Sequence, residues 1–201
     1  MSKEANPDHP VHEILTQRWS PYGFDPDRSV APEDLKALFE AARWAASSFN
    51  EQPWRYIAGT VDDPEQFQRV LACLAEKNQT WARNAPVLAL GLFKRHLTHN
   101  DQPNRAAVHD LGAASASLTM EATARGLYVH QMIGIEPEKA RETFAVPDEY
   151  EVRTALAIGY RASTDNLPDN LRERDRKPRS RLRLNELLFG GQFGEGWWSP
   201  G

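Results

Sequence analysis

Two hydroxyls and two carboxamides crowd one short stretch, Ala45 to Trp54, which reads Ala-Ala-Ser-Ser-Phe-Asn-Glu-Gln-Pro-Trp. Side chains such as Ser47, Ser48, Asn50 and Gln52 hold a ligand by hydrogen bonds. Pro53 cannot continue a helix and biases Gln52 toward an extended conformation. A helix-to-strand junction of this kind offers short polar groups and uncommitted amides on a rigid base, the usual make-up of a binding site. Ordinary turn chemistry gives the same composition, and on composition alone it is the better reading. Arg18 and Ser20 form a second group, two residues apart and just before the turn enforced by Pro21. They can converge on one anion or one ring edge, because a guanidinium is a planar, permanently charged fork of donors. The competing reading is a surface arginine beside a packed Trp19. Arg179 and Arg181 form a third group, and along an extended segment they point the same way.

Other chemistries find less support. Between Arg172 and Arg183 stand seven basic residues against two acidic ones, which reads as a solvated linker, a nucleic-acid patch, or a segment whose arginines face an anion. The formal charge of −4 disfavours nucleic acid. His96 and His99 sit three apart, but no Cys or His-Glu cluster supports them, so no metal site is expected. His130, on an alternating strand, reads as a packed core histidine rather than a catalytic acid. No P-loop, Rossmann turn, zinc motif or Ser-His-Asp elbow is present.

The elements that must position these groups follow from periodicity and punctuation. Short helices are expected over 11–17 and 137–144 and longer ones over 29–46, 64–77 and 104–125. The helix over 104–125 is rich in small residues and reads as packed on all sides, with Gly126 as its C-cap. Strands are expected at Arg55–Gly59, Val87–Phe93, Tyr128 into a turn at Gly134, and Glu151–Tyr160. The stretches 94–103 and 161–183 read as polar loop and extended polar segment. At 201 residues, 40% hydrophobic and 26% charged, the chain is expected to form one soluble domain, 1–201, with tails at 1–10 and 195–201. No apolar run approaches a membrane span, and no secretory signal core is seen at the N-terminus, so the cytoplasm is the expected location. The single Cys73 reads as a buried, inert thiol.

The string Ser47-Ser48-Phe49-Asn50-Glu51-Gln52-Pro53-Trp54, closing a helix that contains Ala41-Ala42-Arg43-Trp44-Ala45, resembles the flavin-binding loop of the nitroreductase family. The resemblance continues in order through Arg18-Trp19-Ser20, Asp110-Leu-Gly-Ala-Ala, the Gln131-Met132-Ile133-Gly134 turn, Ile158-Gly-Tyr, and a basic-x-basic pair ahead of Leu184-Asn-Glu-Leu-Leu-Phe. It implies an α+β nitroreductase-like fold, a mixed central sheet flanked by helices, and an intertwined homodimer with FMN in the interface. It further implies that Arg18, Trp19, Ser20, Asn78, Gln131, Met132, Ile133, Gly134, Arg179 and Arg181 contact the cofactor from one subunit. Ser47, Ser48 and Asn50 would come from the other. Asn78 read without the family is a cap for the preceding helix. The implied activity is ping-pong passage of hydride from NADPH or NADH through flavin to a flat acceptor such as a nitroaromatic or quinone, with no obligatory catalytic side chain. A backbone amide in the Gly134 turn would tune the flavin N5. Alternatives are a flavin carrier or sensor, a dehalogenase- or oxidase-type relative, and a helical interaction protein with a basic tail. Two departures stand out: Ala46 replaces a proline, and Tyr22 replaces a basic residue.

Overall fold

The computed structural model describes residues 3–163, 165 and 167–197, so Trp198 lies outside the described residues. The chain order is α1 (Glu13–Gln17), α2 (Pro32–Arg43), β1 (Trp54–Thr60), α3 (Pro64–Ala72), α4 (Glu76–Ala82), β2 (Val87–Lys94), α5 (Ala107–Ala124), β3 (Tyr128–Met132), α6 (Pro137–Phe144), β4 (Tyr150–Gly159) and α7 (Asp169–Arg176). Helices and a four-stranded sheet in the order β1-β2-β4-β3 give the expected α+β architecture. Among the described residues every strand pairing is antiparallel, so the sheet they form is antiparallel rather than mixed.

β2 shows why the sheet is sandwiched. Its side chains alternate, with Leu88, Leu90 and Leu92 in one core cluster and Val87, Ala89 and Phe93 in the other. Both faces are therefore buried, and the strand reads as an unbroken apolar run. The first cluster is closed by Phe67, Val70 and Leu71 of α3, Trp81 of α4 and Leu171 of α7. Leu38 and Ala42 of α2, with Leu111, Ala114, Leu118 and Ala122 of α5, close the second. Leu118 is fully buried, so truncating it to alanine would cost about 2–5 kcal/mol.

α5 ends as Gly126 predicts. With φ +73, Gly126 donates to Thr123 O (3.0 Å), and Leu127 donates to Ala122 O (2.8 Å), the two bonds of a Schellman cap. The helix is not covered on all sides within the chain: Gly112 and Ala116 are exposed and Val108 is 47% exposed.

Two expectations about elements fail. The helix over 64–77 is broken at Cys73–Ala75, because these residues pair with the turn after β3. Leu74 bridges Ile135, Ala75 N–H donates to Gly134 O (3.0 Å), and Glu136 N–H donates to Cys73 O (2.8 Å). Extended pairing here outweighs one more helical turn, and it sets α4 beside Gly134. Second, 161–183 contains α7, whose single buried stripe is Leu171 and Asp175. Two buried positions at helical spacing are too thin a signal to read in a basic run. Among the described residues, no helix is long and apolar enough to cross a membrane.

Strand register puts the starts of β1 and β4 and the ends of β2 and β3 at one end of the sheet, since Trp54 faces Phe93, Phe93 faces Glu151, and Met132 faces Ala155. The polar loop after α2, the 95–106 loop and the Gly134 turn all emerge there. β3, at the sheet edge, leads from the opposite end toward them.

Candidate functional site

Arg18 terminates α1, its N–H bonded to Ile14 O, and its Nη1 lies 3.4 Å from Ser20 Oγ. Arg18, Ser20 and Gln131 line one cleft of about 250 Å³ with Ala116, Thr119 and Met120 of α5 and Val129 of β3. Gln131 is held in place by α5, donating from Nε2 to Thr119 Oγ1 (2.9 Å) and Ser115 O (3.2 Å). Arginines from the far end of the chain come near Arg18 without lining the cleft themselves, Arg179 being bonded to Thr16 O two residues away. Burial lowers the Arg18 pKa first, and the charges of Arg179 and Arg181 press it lower. Among the described residues no carboxylate forms an ion pair with any of these three arginines.

The two ends are joined by specific bonds. Arg179 Nη1 donates to Lys3 O (3.1 Å) and to Thr16 O, while Ala5 N–H donates to Thr16 O (2.9 Å). Asp175, 3% exposed on α7, accepts Tyr22 N–H (2.8 Å) and Gly23 N–H (3.0 Å). That carboxylate ties the turn after Ser20 to the helix that delivers Arg179 and Arg181. Arg181 is exposed and, among the described residues, donates to the adjacent Ser180 O (2.7 Å).

Asn78 is on α4 and does not cap the preceding helix. Its Nδ2 donates to Gly134 O (2.9 Å), and its Oδ1 accepts from Trp81 Nε1 (3.3 Å). A Cβ on Gly134 would stand 2.5 Å from Asn78 Nδ2, so any other residue there would push the Asn78 carboxamide off this bond. Ile133, in the same turn, is 85% exposed. Met132 and Trp19 are placed differently. Both are 7% exposed, Met132 packing in the first core cluster and Trp19 against Lys3, Arg161 and Tyr128, so neither side chain lines the cleft. His130 is packed as the sequence suggests: Nδ1 meets Pro21 O at 2.8 Å, Tyr22 and Trp81 flank the ring, and burial lowers its pKa.

The Ser47–Asn50 loop is built differently. Phe49, Asn50 and Gln52 all have positive φ (53°, 55° and 46°), unusual for residues with a Cβ. Gln52 is thus left-handed rather than extended. A following proline disfavours the right-handed helical region, and the bond from Gln52 N–H to Ser47 Oγ (3.0 Å) selects the observed turn. Ser48 N–H donates to Asp110 Oδ2 (3.0 Å), a carboxylate buried on α5. Glu51 accepts Thr98 N–H (2.8 Å) and bonds His99 Nδ1 (2.9 Å), drawing the 95–106 loop onto this one. His99 is therefore engaged with Glu51 rather than paired with His96. Asp110 lies roughly 9–15 Å along α5 from Ala116 and Met120, at 1.5 Å per residue, so Ser47, Ser48 and Asn50 are not in the Arg18 cleft of their own chain.

Sequence reasoning missed Asp110, Asp175 and Glu51, the carboxylates that hold these pieces in place. Asp110 alone carried a signal, as an acid in a helix of small residues.

A profile of the Nitroreductase family matches residues 15–160. The chain belongs to the nitroreductase family. It is 28% identical over 221 residues to the Major NAD(P)H-flavin oxidoreductase of Aliivibrio fischeri, covering 90% of this chain and 98% of that protein. Protein DrgA of Synechocystis is 29% identical over 208 residues, covering 88% and 93%. A crystal structure described as an oxidoreductase containing FMN is similar with a TM-score of 0.89 and 35% identity, over 96% of this chain and 98% of that one. A nitroreductase family protein of Clostridium difficile shares the fold at a TM-score of 0.68 and 21% identity, over 87% and 94%.

Proposed function

We propose that this nitroreductase-family chain is an FMN-dependent oxidoreductase acting on a flat electrophilic acceptor such as a nitroaromatic or quinone. One observation carries the reading: Arg179 is bonded to the helix that Arg18 ends, Arg179 and Arg181 both act on the charge of Arg18, and among the described residues none of the three is ion-paired, which suits the phosphate of a mononucleotide. Bound flavin would supply ping-pong hydride transfer, accepting hydride from NADPH or NADH at N5 and delivering it to the acceptor. The donor set fits the rest of the cofactor. From Val129 to Met132 the edge strand covers roughly 10 Å at 3.3 Å per residue, and the Ile133–Gly134 turn extends it, a span comparable to an extended flavin mononucleotide.

Arg18, Ser20, Arg179 and Arg181 hold the phosphate in this reading, and Gln131 offers its carboxamide oxygen to the ribityl chain or ring edge, since its Nε2 is already committed. Asn78 fixes Gly134, so that the turn's amides stand preformed where negative charge develops on the ring. Trp19 and Met132 act through packing. No side chain is required as nucleophile or base.

A second copy of the chain completes the site. The open face of α5 at Gly112 and Ala116, with exposed Val108, Phe49 (79%) and Trp44 (75%), offers an apolar surface for it. That copy brings Ser47, Ser48 and Asn50 to the ring. Such a dimer has two sites, and a monomer has none complete.

The test is the absorption spectrum and solution mass of the purified protein. A yellow dimer, bleached by NADPH or NADH and re-oxidised by a quinone or nitroaromatic, is expected. Protein that stays colourless after incubation with FMN overturns the proposal.

A further inference from the structure

An arginine-lined cavity distinct from the Arg18 cleft lies at the strand ends, past the Gly134 turn. Its volume is about 460 Å³, and its lining includes Ile133, Ile135 and Val152 below and Arg95, Arg141 and Arg153 at the rim. Arg141 is fully engaged, donating to Val146 O (3.0 Å), Tyr150 O (2.7 Å) and Asp148 Oδ1 (3.1 Å). The other two are not. Arg95 Nη2 stands 3.7 Å from Glu151 Oε2, and Arg153 Nη1 stands 3.5 Å from Glu151 Oε1. Both are ion-pair distances too long for good hydrogen bonds. Neither guanidinium donates any other hydrogen bond among the described residues. Glu151 and Glu138 are the acids of the lining, so three arginines leave it net positive.

The backbone beneath these forks is fixed. Arg95 N–H donates to Glu149 O (2.9 Å), Arg95 O accepts Asn104 N–H (2.8 Å), and Arg153 is within β4. Two planar donor sets, 44% and 56% exposed, are thus held around one opening on either side of the Glu151 carboxylate. A phosphate monoester, with three terminal oxygens and up to two charges, matches such a pair far better than a diester does.

We propose that Arg95 and Arg153 form an anion subsite for the 2′-phosphate of the dinucleotide donor, giving a preference for NADPH over NADH. The proposal rests on the flavin reading above for the direction from which the ligand arrives. The flavin phosphate belongs at the Arg18 end of β3, whereas this cavity shares Ile133 with the ring end. Of the two substrates, a nitroaromatic or quinone carries no phosphate, so the anion that reaches this rim comes from the donor.

Isothermal titration of the purified, FMN-loaded protein with adenosine 2′,5′-bisphosphate and with ADP decides the matter. The wild type is expected to bind the 2′-phosphorylated nucleotide at least tenfold more tightly. Arg95→Gln with Arg153→Gln is expected to erase that difference, while flavin absorbance and melting temperature report that the variant is folded and loaded. A wild type that binds neither nucleotide, or both equally, overturns the subsite. So does a preference that survives in the double variant. Nucleotide discrimination as expected, in a protein whose flavin is not bleached by NADPH, would leave the subsite standing and sink the proposed activity instead.

Discussion

The arginine end of the site and the loop after α2 are both polar, and they are unfinished in opposite senses. At the arginine end, three guanidiniums act on one another, Arg18 has its pKa pushed down, and among the described residues no carboxylate forms an ion pair with them. In the loop the hydrogen bonds are largely closed, Ser47 with Gln52, Ser48 with Asp110, Glu51 with Thr98 and His99, but the backbone carries three left-handed residues. One region has its electrostatics left open and the other its torsional strain held shut. An anion would relieve the first, whereas the second is preformed, its Ser48, Asn50, Glu51 and Gln52 amides already bonded within the chain.

The largest expected effect comes from breaking the open region. Arg18→Ala removes the half-buried member of the three and should weaken FMN binding by about 100-fold, equivalent to the loss of roughly 3 kcal/mol of charged hydrogen bonding. Arg181→Ala, at an exposed position, should cost about tenfold and flatten the salt dependence of binding. In both variants the apo-protein should melt no lower than wild type, because removing one positive charge relieves repulsion. Flavin titration and melting of the cofactor-free protein measure the two halves of this expectation. An apo-protein that unfolds several degrees earlier would mean that the arginines are structural.

Asp110→Ala tests the closed region, and its effect should appear in stability first. The substitution leaves Ser48 N–H without its acceptor, at a cost of about 1–3 kcal/mol, or a melting temperature lower by roughly 2–12 °C for a chain of this size. Asp110→Asn keeps a carbonyl oxygen and should lose less. Equal melting for wild type and the alanine variant would show that the loop does not depend on α5.

Glu51 supplies a smaller, pH-dependent version of the same test. The His99 bond, then the Thr98 amide, lowers its pKa from 4.5 to about 2. Because the folded value lies below the unfolded one, this contribution is complete above about 4.5 and is lost as pH falls toward 2. Acid unfolding followed by circular dichroism should therefore be shallower in Glu51→Gln over that window. An unchanged slope would remove Glu51 from the clasp.

These differences also explain what could be read from sequence. β2 and α5 were legible because burial imposes a repeat: both faces of Val87–Lys94 are apolar, and Leu111, Ala114, Leu118 and Ala122 recur on one side of the helix. Arg18, Ser20 and Gln131 were legible through the family pattern, and the structure gathers them in one cleft. The break at Cys73–Ala75 was hidden, since it is enforced by pairing with Gly134–Glu136, some sixty residues away. Asp175 was hidden for a related reason: its partners, the Tyr22 and Gly23 amides, are contributed by the other end of the chain. Contacts made by backbone amides leave no trace in residue type, so the carboxylates that receive them look like any other surface acid.

The smallest effect is expected where strain and contact nearly cancel. Phe49 sits at φ 53° with its side chain 79% exposed, touching the His99 ring at 5.4 Å between centroids. Phe49→Gly removes a left-handed penalty of about 1–2 kcal/mol for a residue with a Cβ. It also frees the unfolded chain, an opposing cost of about 0.5–1 kcal/mol. The ring contact is worth little at such exposure, so the net change should be within about 1 kcal/mol, and a melting temperature within roughly 4 °C of wild type is expected. Phe49→Ala, which keeps the Cβ and its strain but loses the ring, should melt lower than Phe49→Gly. If alanine proves the more stable of the two, the left-handed turn is not holding strain, and the loop is merely one more hydrogen-bonded bend.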